Sequence, residues 1–198
     1  MSTKMQVLKW KVKRLVSVIV LGILLYFWLR PREFTYKEEI RMANTQPSEV
    51  WEYVADFSNM MNLNPTIVDF TVLSESGNYD HWQYTTRYKE HLSHWPYLQN
   101  IATARFSVHS NFKNNHYFIN STHTTCFFTG MICLNSNSEF KFSLLKNINV
   151  RAAPHTLCEE TVNYQCPPLL YLFCKREVVY QRHAIMNNLQ VQFAQKKT

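Results

Sequence analysis

The stretch ANTQPSEVWEYVADF, residues 43–57, marks the point where an alternating hydrophobic pattern gives way to a helical one. Pro47 suits the first turn of a helix, because its φ is already helical and its missing N–H would have no partner there. The apolar stripe of this helix consists of Val50, Trp51, Val54 and Phe57. We therefore predict a helix that begins near Pro47 and packs one face on a core, followed by a short helical or turn segment over 60–65.

The residues before this helix predict a half-buried strand. Over 33–43 (EFTYKEEIRMA) apolar and charged side chains alternate, with a break at Glu38. The side chains on the apolar face are Phe34, Tyr36, Ile40 and Met42. Alternation of this kind is typical of a strand that has one face on a core and the other in water.

The residues after the helix change to period two and keep it over 66–165. Turn signals divide this region into predicted strands at 66–75, 80–91, 101–112, 115–127, 138–150 and 156–165. Consecutive short strands favour an antiparallel meander. After Pro167 and Pro168 a helical pattern returns over 169–195, with polar residues on one face. Its apolar stripe consists of Leu172, Val179, Met186, Leu189 and Phe193, with Ile185 beside it.

This order of elements predicts an α+β fold in which a curved antiparallel sheet wraps around a long C-terminal helix. Residues 43–57, the following Asn62-Leu63-Asn64-Pro65 and the stretch Cys166-Pro167-Pro168-Leu169-Leu170 resemble the polyketide cyclase/dehydrase and lipid-transport superfamily, the START-like helix-grip fold. The resemblance covers about 35–195 in architecture, although its motifs are short. It implies an elongated cavity between sheet and terminal helix for a sterol, phospholipid, prenylated quinone or similar apolar molecule. Some members of the superfamily are enzymes.

The N-terminal segment predicts a membrane anchor. Residues 15–29 (LVSVIVLGILLYFWL) carry no charge, follow a basic tail over 1–14 and precede a domain over 33–198. A cleaved signal peptide is the alternative interpretation, because a basic region precedes the apolar stretch. The stretch ends in Phe27-Trp28-Leu29-Arg30, however, and contains no small-x-small cleavage site. We therefore favour a single retained transmembrane signal-anchor helix.

The flanking charges predict its orientation. Five basic residues precede the apolar stretch, whereas two basic residues and several glutamates follow it, so the positive-inside rule leaves the N-terminus in the cytosol. The domain is then lumenal, in the endoplasmic reticulum or another membrane of the secretory pathway. Asn120-Ser121-Thr122 is a glycosylation acceptor that agrees with this side.

The five cysteines leave two interpretations open, buried thiols or disulfides, because they include no C-x-x-C pair. Cys126 and Cys133 flank Gly130, and we expect a disulfide across that turn before any other pairing.

Charge and glycine content exclude two classes of partner. The formal net charge is +7, but seven of the 21 basic residues lie within residues 1–32, and the remaining 14 balance all 14 acidic residues. No basic face remains for binding nucleic acid. The domain contains only Gly77 and Gly130, too few for a nucleotide-binding loop, so we expect no nucleotide and no nucleotide cofactor. We expect no other cofactor and no metal, since the sequence offers no ligand set for either.

Strand alternation predicts the cavity lining. If Asn120 faces water, residues of opposite parity on the same strand face inward. With the inward-facing aromatics of the neighbouring strands they give the candidate ligand-binding residues Trp82, Tyr84, Tyr88, Phe106, Tyr117, Ile119 and His123. The alternative is a filled core, because any half-buried sheet has aromatics at period two.

Few residues are candidates for polar ligand contact, metal binding or catalysis. We select His123 as the polar contact for a ligand head group, with a purely structural histidine as the alternative. The pair His91 and His94 is too irregular for a metal site. Glu159-Glu160 could supply a general base if buried, but a solvated strand end is the favoured interpretation.

Three functions remain open. The leading hypothesis is membrane-anchored binding or transfer of a hydrophobic ligand. The alternatives are a cyclase, hydratase or isomerase that acts on a hydrophobic substrate in the same cavity, and a non-catalytic interaction scaffold with a collapsed cavity.

Overall fold

The computed structural model describes residues 2–78, 81–111, 116–127, 130, 132–145 and 154–195. Its helices are α1 (Ser2–Leu29), α2 (Pro47–Ala55), α3 (Met60–Leu63) and α4 (Tyr171–Gln195), with 3-10 turns at Phe57–Asn59 and Pro168–Leu170. Its strands are β1 (Arg32–Ala43), β2 (Ile67–Asn78), β3 (His81–His91), β4 (Gln99–Asn111), β5 (His116–Phe127), β6 (Ile132–Leu145) and β7 (His155–Cys166).

The strands form one seven-stranded sheet in the order β1-β7-β6-β5-β4-β3-β2. All its neighbours pair antiparallel, and β1 joins the meander by pairing with β7. Residues of β3 to β7 that face the helices share one core with α2 and α4. The predicted α+β helix-grip architecture, a curved antiparallel sheet on a long C-terminal helix, is therefore confirmed.

Two predicted strand details are wrong. Strand β6 begins at Ile132, earlier than the predicted residue 138, because its asparagines and serines extend the ladder with β5. The predicted end over 146–150 lies outside the described residues. Strand β1 passes through Glu38 without a break, since the Glu38 carboxylate on the helix-facing side accepts a hydrogen bond from the Tyr36 hydroxyl.

The core is densely filled at the end of the sheet where α2 lies. Trp51 is 2% exposed, its Nε1 donates to the Phe118 carbonyl, and its ring lies 5.2 Å from that of Tyr117. Phe142 is fully buried beside Phe140. Burial of each such side chain contributes about 1.5 to 3 kcal/mol to folding, so this end supplies much of the stability.

Helix α4 departs from its predicted stripe at the first turns. Met186, Leu189, Phe193 and Ile185 are buried as predicted. Leu172, however, is 80% exposed and Val179 is half-buried, because Cys174 and Val178 occupy the sheet-facing side of these turns.

Arg182 was predicted on the polar face of α4 but lies on the sheet-facing side, with its side chain 18% exposed. It stands three and four residues before Ile185 and Met186, so helical geometry places it on their face.

Helix α1 stands apart from the core. Within it, Lys9–Leu29 is long and apolar enough to cross a membrane, and none of this segment is buried. Strand β1 starts at Arg32, shortly after α1 ends, and pairs there with Cys166. We call this end of the sheet the α1 end and the opposite end the distal end.

Both disulfides lie at the α1 end. The expected Cys126–Cys133 bridge joins β5 to β6 there. A second bridge, which the sequence did not predict, ties Cys166 at the end of β7 to Cys174 in the first turn of α4. Cys158 is a free, buried thiol.

Candidate functional site

Beneath the middle of α4 the sheet and the helices enclose a space of about 50 Å³, which we call the inner chamber. This volume accommodates a few water molecules, far less than the 300 to 1,000 Å³ typical of sites for drug-sized ligands. The chamber is polar as well as apolar. Its polar side chains include Tyr88, Glu90, His123, Ser138, Glu160 and Arg182.

An ion pair spans the inner chamber from helix to sheet. Arg182 Nη1 donates to Glu160 Oε1 at 2.6 Å, and Ser138 Oγ donates to the same oxygen at 2.7 Å. Glu160 is only 3% exposed. Its second oxygen, Oε2, and Arg182 Nε are buried without a hydrogen-bond partner among the described residues. Two polar atoms beside the chamber are therefore available to an occupant, and leaving such groups unpaired is costly.

The favoured interpretation of Glu159-Glu160 as a solvated strand end is therefore wrong for Glu160. Its parity on β7 places it on the core face with the buried Cys158 and Val162. Glu159 has the opposite parity and is half-buried on the other face.

Glu90 is a second buried carboxyl in the chamber, 6% exposed. Burial raises its pKa to about 7, against the attraction of Arg182 and a hydrogen bond from Asn100, which lower it. With the Asn100 amide oriented to suit its neighbours, its nitrogen lies 3.1 Å from Glu90 Oε1. The Glu90 carboxyl therefore changes between its protonated and its ionised form near neutral pH.

His123 bonds within the protein through both ring nitrogens. Its Nδ1 lies 2.9 Å from the Tyr88 hydroxyl, and its Nε2 lies 2.8 Å from Ser121 Oγ. Burial, with a smaller contribution from the positive charge of Arg182, lowers the His123 pKa to about 3, so the imidazole is neutral. The ring is fixed for hydrogen bonding inside the chamber, and its contact with a ligand stays a prediction.

The structure brings four of the seven predicted lining residues together. Tyr88, Phe106, Ile119 and His123 line the inner chamber.

The other three, Trp82, Tyr84 and Tyr117, do not line the inner chamber. The Tyr84 hydroxyl donates to the Ala55 carbonyl at 2.8 Å, Trp82 packs on Tyr84, and Tyr117 packs on Trp51. These three side chains extend the filled core toward the distal end. They were predicted as cavity lining because alternation indicates which face of a strand a residue occupies, but not where along the strand it lies.

A second space of about 130 Å³, the outer chamber, lies toward the α1 end. It shares Glu90, Gln181 and Arg182 with the inner chamber, so the two are adjacent. Its apolar side chains include Phe127, Leu134, Val162, Phe173 and Val178. The inner chamber, with its buried ion pair, therefore borders a larger and mainly apolar vestibule, the outer chamber.

A broader groove of about 580 Å³ runs along the outer face of α4, past Lys175, Arg176 and His183. It is open to solvent, and the residues that line it include none that is buried. We therefore place the candidate site beneath the helix. Within the described residues no group of three or more His, Cys, Asp or Glu side chains could hold a metal ion.

Sequence reasoning missed Glu90 and Arg182, although a signal was present. Glu90 has the same strand parity as Tyr88, and Glu160 has the same parity as Val162. Arg182 lies on the α4 stripe of Ile185 and Met186. Charges of opposite sign at core positions of a sheet and its covering helix indicate a buried polar cluster.

Comparisons with known proteins support the fold. No protein-family model matches the chain, and no curated protein matches it significantly. A solved structure of a conserved protein from Geobacillus kaustophilus matches with a TM-score of 0.54 and 13% identity, over 82% of this chain and 96% of its own. Norcoclaurine synthase from Thalictrum flavum, solved in complex with dopamine and hydroxybenzaldehyde, matches with a TM-score of 0.53 and 7% identity, over 85% of this chain and 90% of its own. Identities this low extend the likeness to the helix-grip fold and no further.

Proposed function

We propose that this protein binds or transfers a hydrophobic ligand, a lipid, sterol or prenylated small molecule, beside the membrane in which α1 is anchored. The ligand's hydrogen-bonding group would lie in the inner chamber, and its apolar part would extend through the outer chamber. The observation that carries the proposal is the buried Arg182–Glu160 pair, whose Nε and Oε2 atoms lack partners among the described residues. A hydroxyl group can donate to Glu160 Oε2 and accept from Arg182 Nε, whereas a carbonyl group can only accept from Nε.

The chamber volumes restrict how such a ligand enters. About 50 Å³ admits a small polar group but not an acyl chain or a ring system. Binding therefore requires the part of α4 between Cys174, which a disulfide ties to β7, and the buried Met186 to move away from the sheet, which enlarges the outer chamber. The filled core under the C-terminal half of α4, with Met186 and Leu189 fully buried, gives that movement a fixed end.

Extraction of the full chain from its membrane in mild detergent tests the proposal. We expect a co-purified hydrophobic compound that organic extraction releases and mass spectrometry identifies. The double variant Glu160→Met/Arg182→Met removes the unpaired atoms but keeps the volume and the fold, since apolar replacement of both members of a buried pair is often neutral.

The variant should lose the compound, whereas Arg105→Met, at an exposed arginine on the outer face of β4, should retain it. If the parent protein is free of ligand and gains no thermal stability from any lipid class, the interior is that of a scaffold and the proposal fails.

A second candidate function is proton-transfer catalysis on a hydrophobic substrate. The observation that favours it is Glu90, a buried carboxyl whose pKa is raised to about 7 by burial and which lines the same chamber as neutral His123. Incubation of the identified ligand with the protein should then change its mass or isomer composition, and Glu90→Gln should abolish the change while leaving binding intact. An unchanged ligand supports the carrier function instead.

We also propose that α1 crosses the membrane once, with the N-terminus cytosolic and the domain in the lumen of the secretory pathway. Two disulfides and an exposed Asn120 on the outer face of β5 support this side. Glycosidase treatment of the protein from its own cells should increase gel mobility, and Asn120→Gln should remove that shift. Protease digestion of the domain in intact, sealed microsomes would contradict the lumenal side.

A further inference from the structure

The α1 end carries a group of exposed apolar side chains that we call the apolar rim. It consists of Trp95, Tyr97, Leu98, Leu169, Leu170 and Leu172, which are between 47% and 96% exposed. Among the described residues at the distal end, Leu144 on β6 and Val191 on α4 are exposed large apolar residues. A group of exposed apolar side chains as large as the rim marks an interaction site.

The exposure of the rim is maintained by an ordered loop. The Leu92 and Leu98 amides donate to the Leu98 and Trp95 carbonyls, at 3.1 and 2.9 Å. Ser93 binds both carboxylate oxygens of the buried Glu177, each at 2.8 Å, which fixes the loop to α4. The loop is thus held in a conformation that leaves Tyr97 96% exposed instead of folding it onto the core.

The rim lies next to α1. The 3-10 turn that carries Leu169 and Leu170 contacts α1. Helix α1 ends at Leu29 and β1 begins at Arg32, a separation that an extended chain covers in about 10 Å. If α1 crosses a bilayer, the rim is therefore at the level of the lipid head groups on the domain side.

The chemistry of the rim matches that position. Trp and Tyr concentrate at membrane interfaces because their rings have an apolar body and a polar edge. The basic side chains of Arg30 and Arg32 follow α1, and Lys175 and Arg176 follow the rim on α4. Cations near the surface favour contact with anionic lipids.

We propose that the apolar rim inserts into the interfacial layer of the bilayer that α1 crosses, and so holds the outer chamber against the membrane. This inference rests on the proposed anchoring by α1. Trp95 stacks on Phe173 with ring centroids 5.6 Å apart, and Phe173 and Cys174 line the outer chamber. Insertion of the rim therefore places the apolar vestibule within reach of lipid without exposing the ligand to water.

Depth-dependent quenching on the full chain tests the inference. The protein is reconstituted into vesicles of phosphatidylcholine and phosphatidylserine, without quencher or with lipid that carries a doxyl group either near the head group or deep in the acyl chain. An environment-sensitive fluorophore is attached in turn through Tyr97→Cys in the rim, Leu144→Cys at the distal end and Gly22→Cys within α1. A Cβ at position 22 meets no atom within 4 Å, so that substitution is tolerated.

We expect the emission maxima of the labels at positions 22 and 97 to shift to shorter wavelength, and both labels to be quenched by doxyl lipid. At position 97 the doxyl group near the head group should quench most strongly. The label at 144 should stay solvent-like. Quenching at 22 without quenching at 97 overturns the rim inference and leaves the anchor standing. No quenching at 22 overturns the anchor and the rim together.

Discussion

The two ends of the sheet are built differently, although the same seven strands run through both. At the distal end α2 and the C-terminal half of α4 cover aromatic side chains that fill the interior, such as the fully buried Phe142. At the α1 end lie the outer chamber, both disulfides and the apolar rim. The difference shows two ways to stabilise one sheet: side-chain packing stabilises the distal end, whereas disulfides stabilise the α1 end, where the core is less completely filled.

The largest effect should come from a cavity at the distal end. Phe142→Ala removes a fully buried ring and should lower the free energy of unfolding by about 3 to 5 kcal/mol, measured by urea denaturation. The matched deletion Tyr97→Ala at the α1 end removes a ring that is 96% exposed and should change it by less than about 0.5 kcal/mol. Similar losses in the two variants would contradict the division of the core between the ends.

The next effect should come from the bridge between β7 and α4. Cys166→Ser/Cys174→Ser opens a loop with a sequence separation of 8 and should cost about 2 to 3 kcal/mol. Hydrogen exchange should increase in the first turns of α4 and stay unchanged around Met186. Exchange that increases equally along the whole helix would show that α4 moves as one unit rather than about a fixed C-terminal half.

The fold was largely predictable from sequence and the site only in part. Alternation over 66–165 and the helical stripe after Pro168 report which side of each element is apolar, and this determines the architecture. They do not report how far along a strand a residue lies, so Tyr84 and Tyr117 were predicted in the site but belong to the filled core. Glu160 and Arg182 were predicted as solvated, because a charged residue is usually exposed unless a partner from another element meets it.

Protonation of Glu90 should give the domain an unusual pH dependence. Burial raises the Glu90 pKa from 4.5 to about 7, so the folded state keeps a proton that the unfolded chain loses in this range. The Glu90 contribution to stability is therefore present below pH 4.5 and is lost as pH rises through 7. His123, whose pKa burial lowers from 6.5 to about 3, contributes in the opposite sense, with stability lost as pH falls through this range.

The variant Glu90→Gln separates the contribution of Glu90 to the pH dependence of stability from that of His123. At pH 8 the variant should be more stable than the parent by on the order of 2 kcal/mol, because it removes a buried charge, and near pH 5 the two should be similar. Its remaining pH dependence should follow His123 and rise toward neutral pH. Glu139→Gln, at a carboxylate whose side chain is 45% exposed, serves as the control. A parent whose stability rises steadily from pH 5 to 8 would show that Glu90 is ionised throughout.

The smallest effect should come from the hydroxyl that supports the ion pair. Ser138→Ala removes the donor to Glu160 Oε1 and should cost about 1 kcal/mol in thermal or urea unfolding. The same substitution at the exposed Ser74 on β2 should have no measurable effect. Equal values for the two serines would indicate that water replaces the Ser138 hydroxyl, and that the ion pair is more solvated than its burial implies.

The proposed function depends most on the claim that the buried Arg182–Glu160 pair binds the polar group of a hydrophobic ligand. Native mass spectrometry of the full chain, released from detergent without prior delipidation, measures this directly. We predict a stoichiometric adduct on the parent protein and on Arg105→Met, and its absence from Glu160→Met/Arg182→Met. An adduct that persists in the double variant would move the binding site elsewhere, and a parent mass equal to the polypeptide alone would contradict the claim.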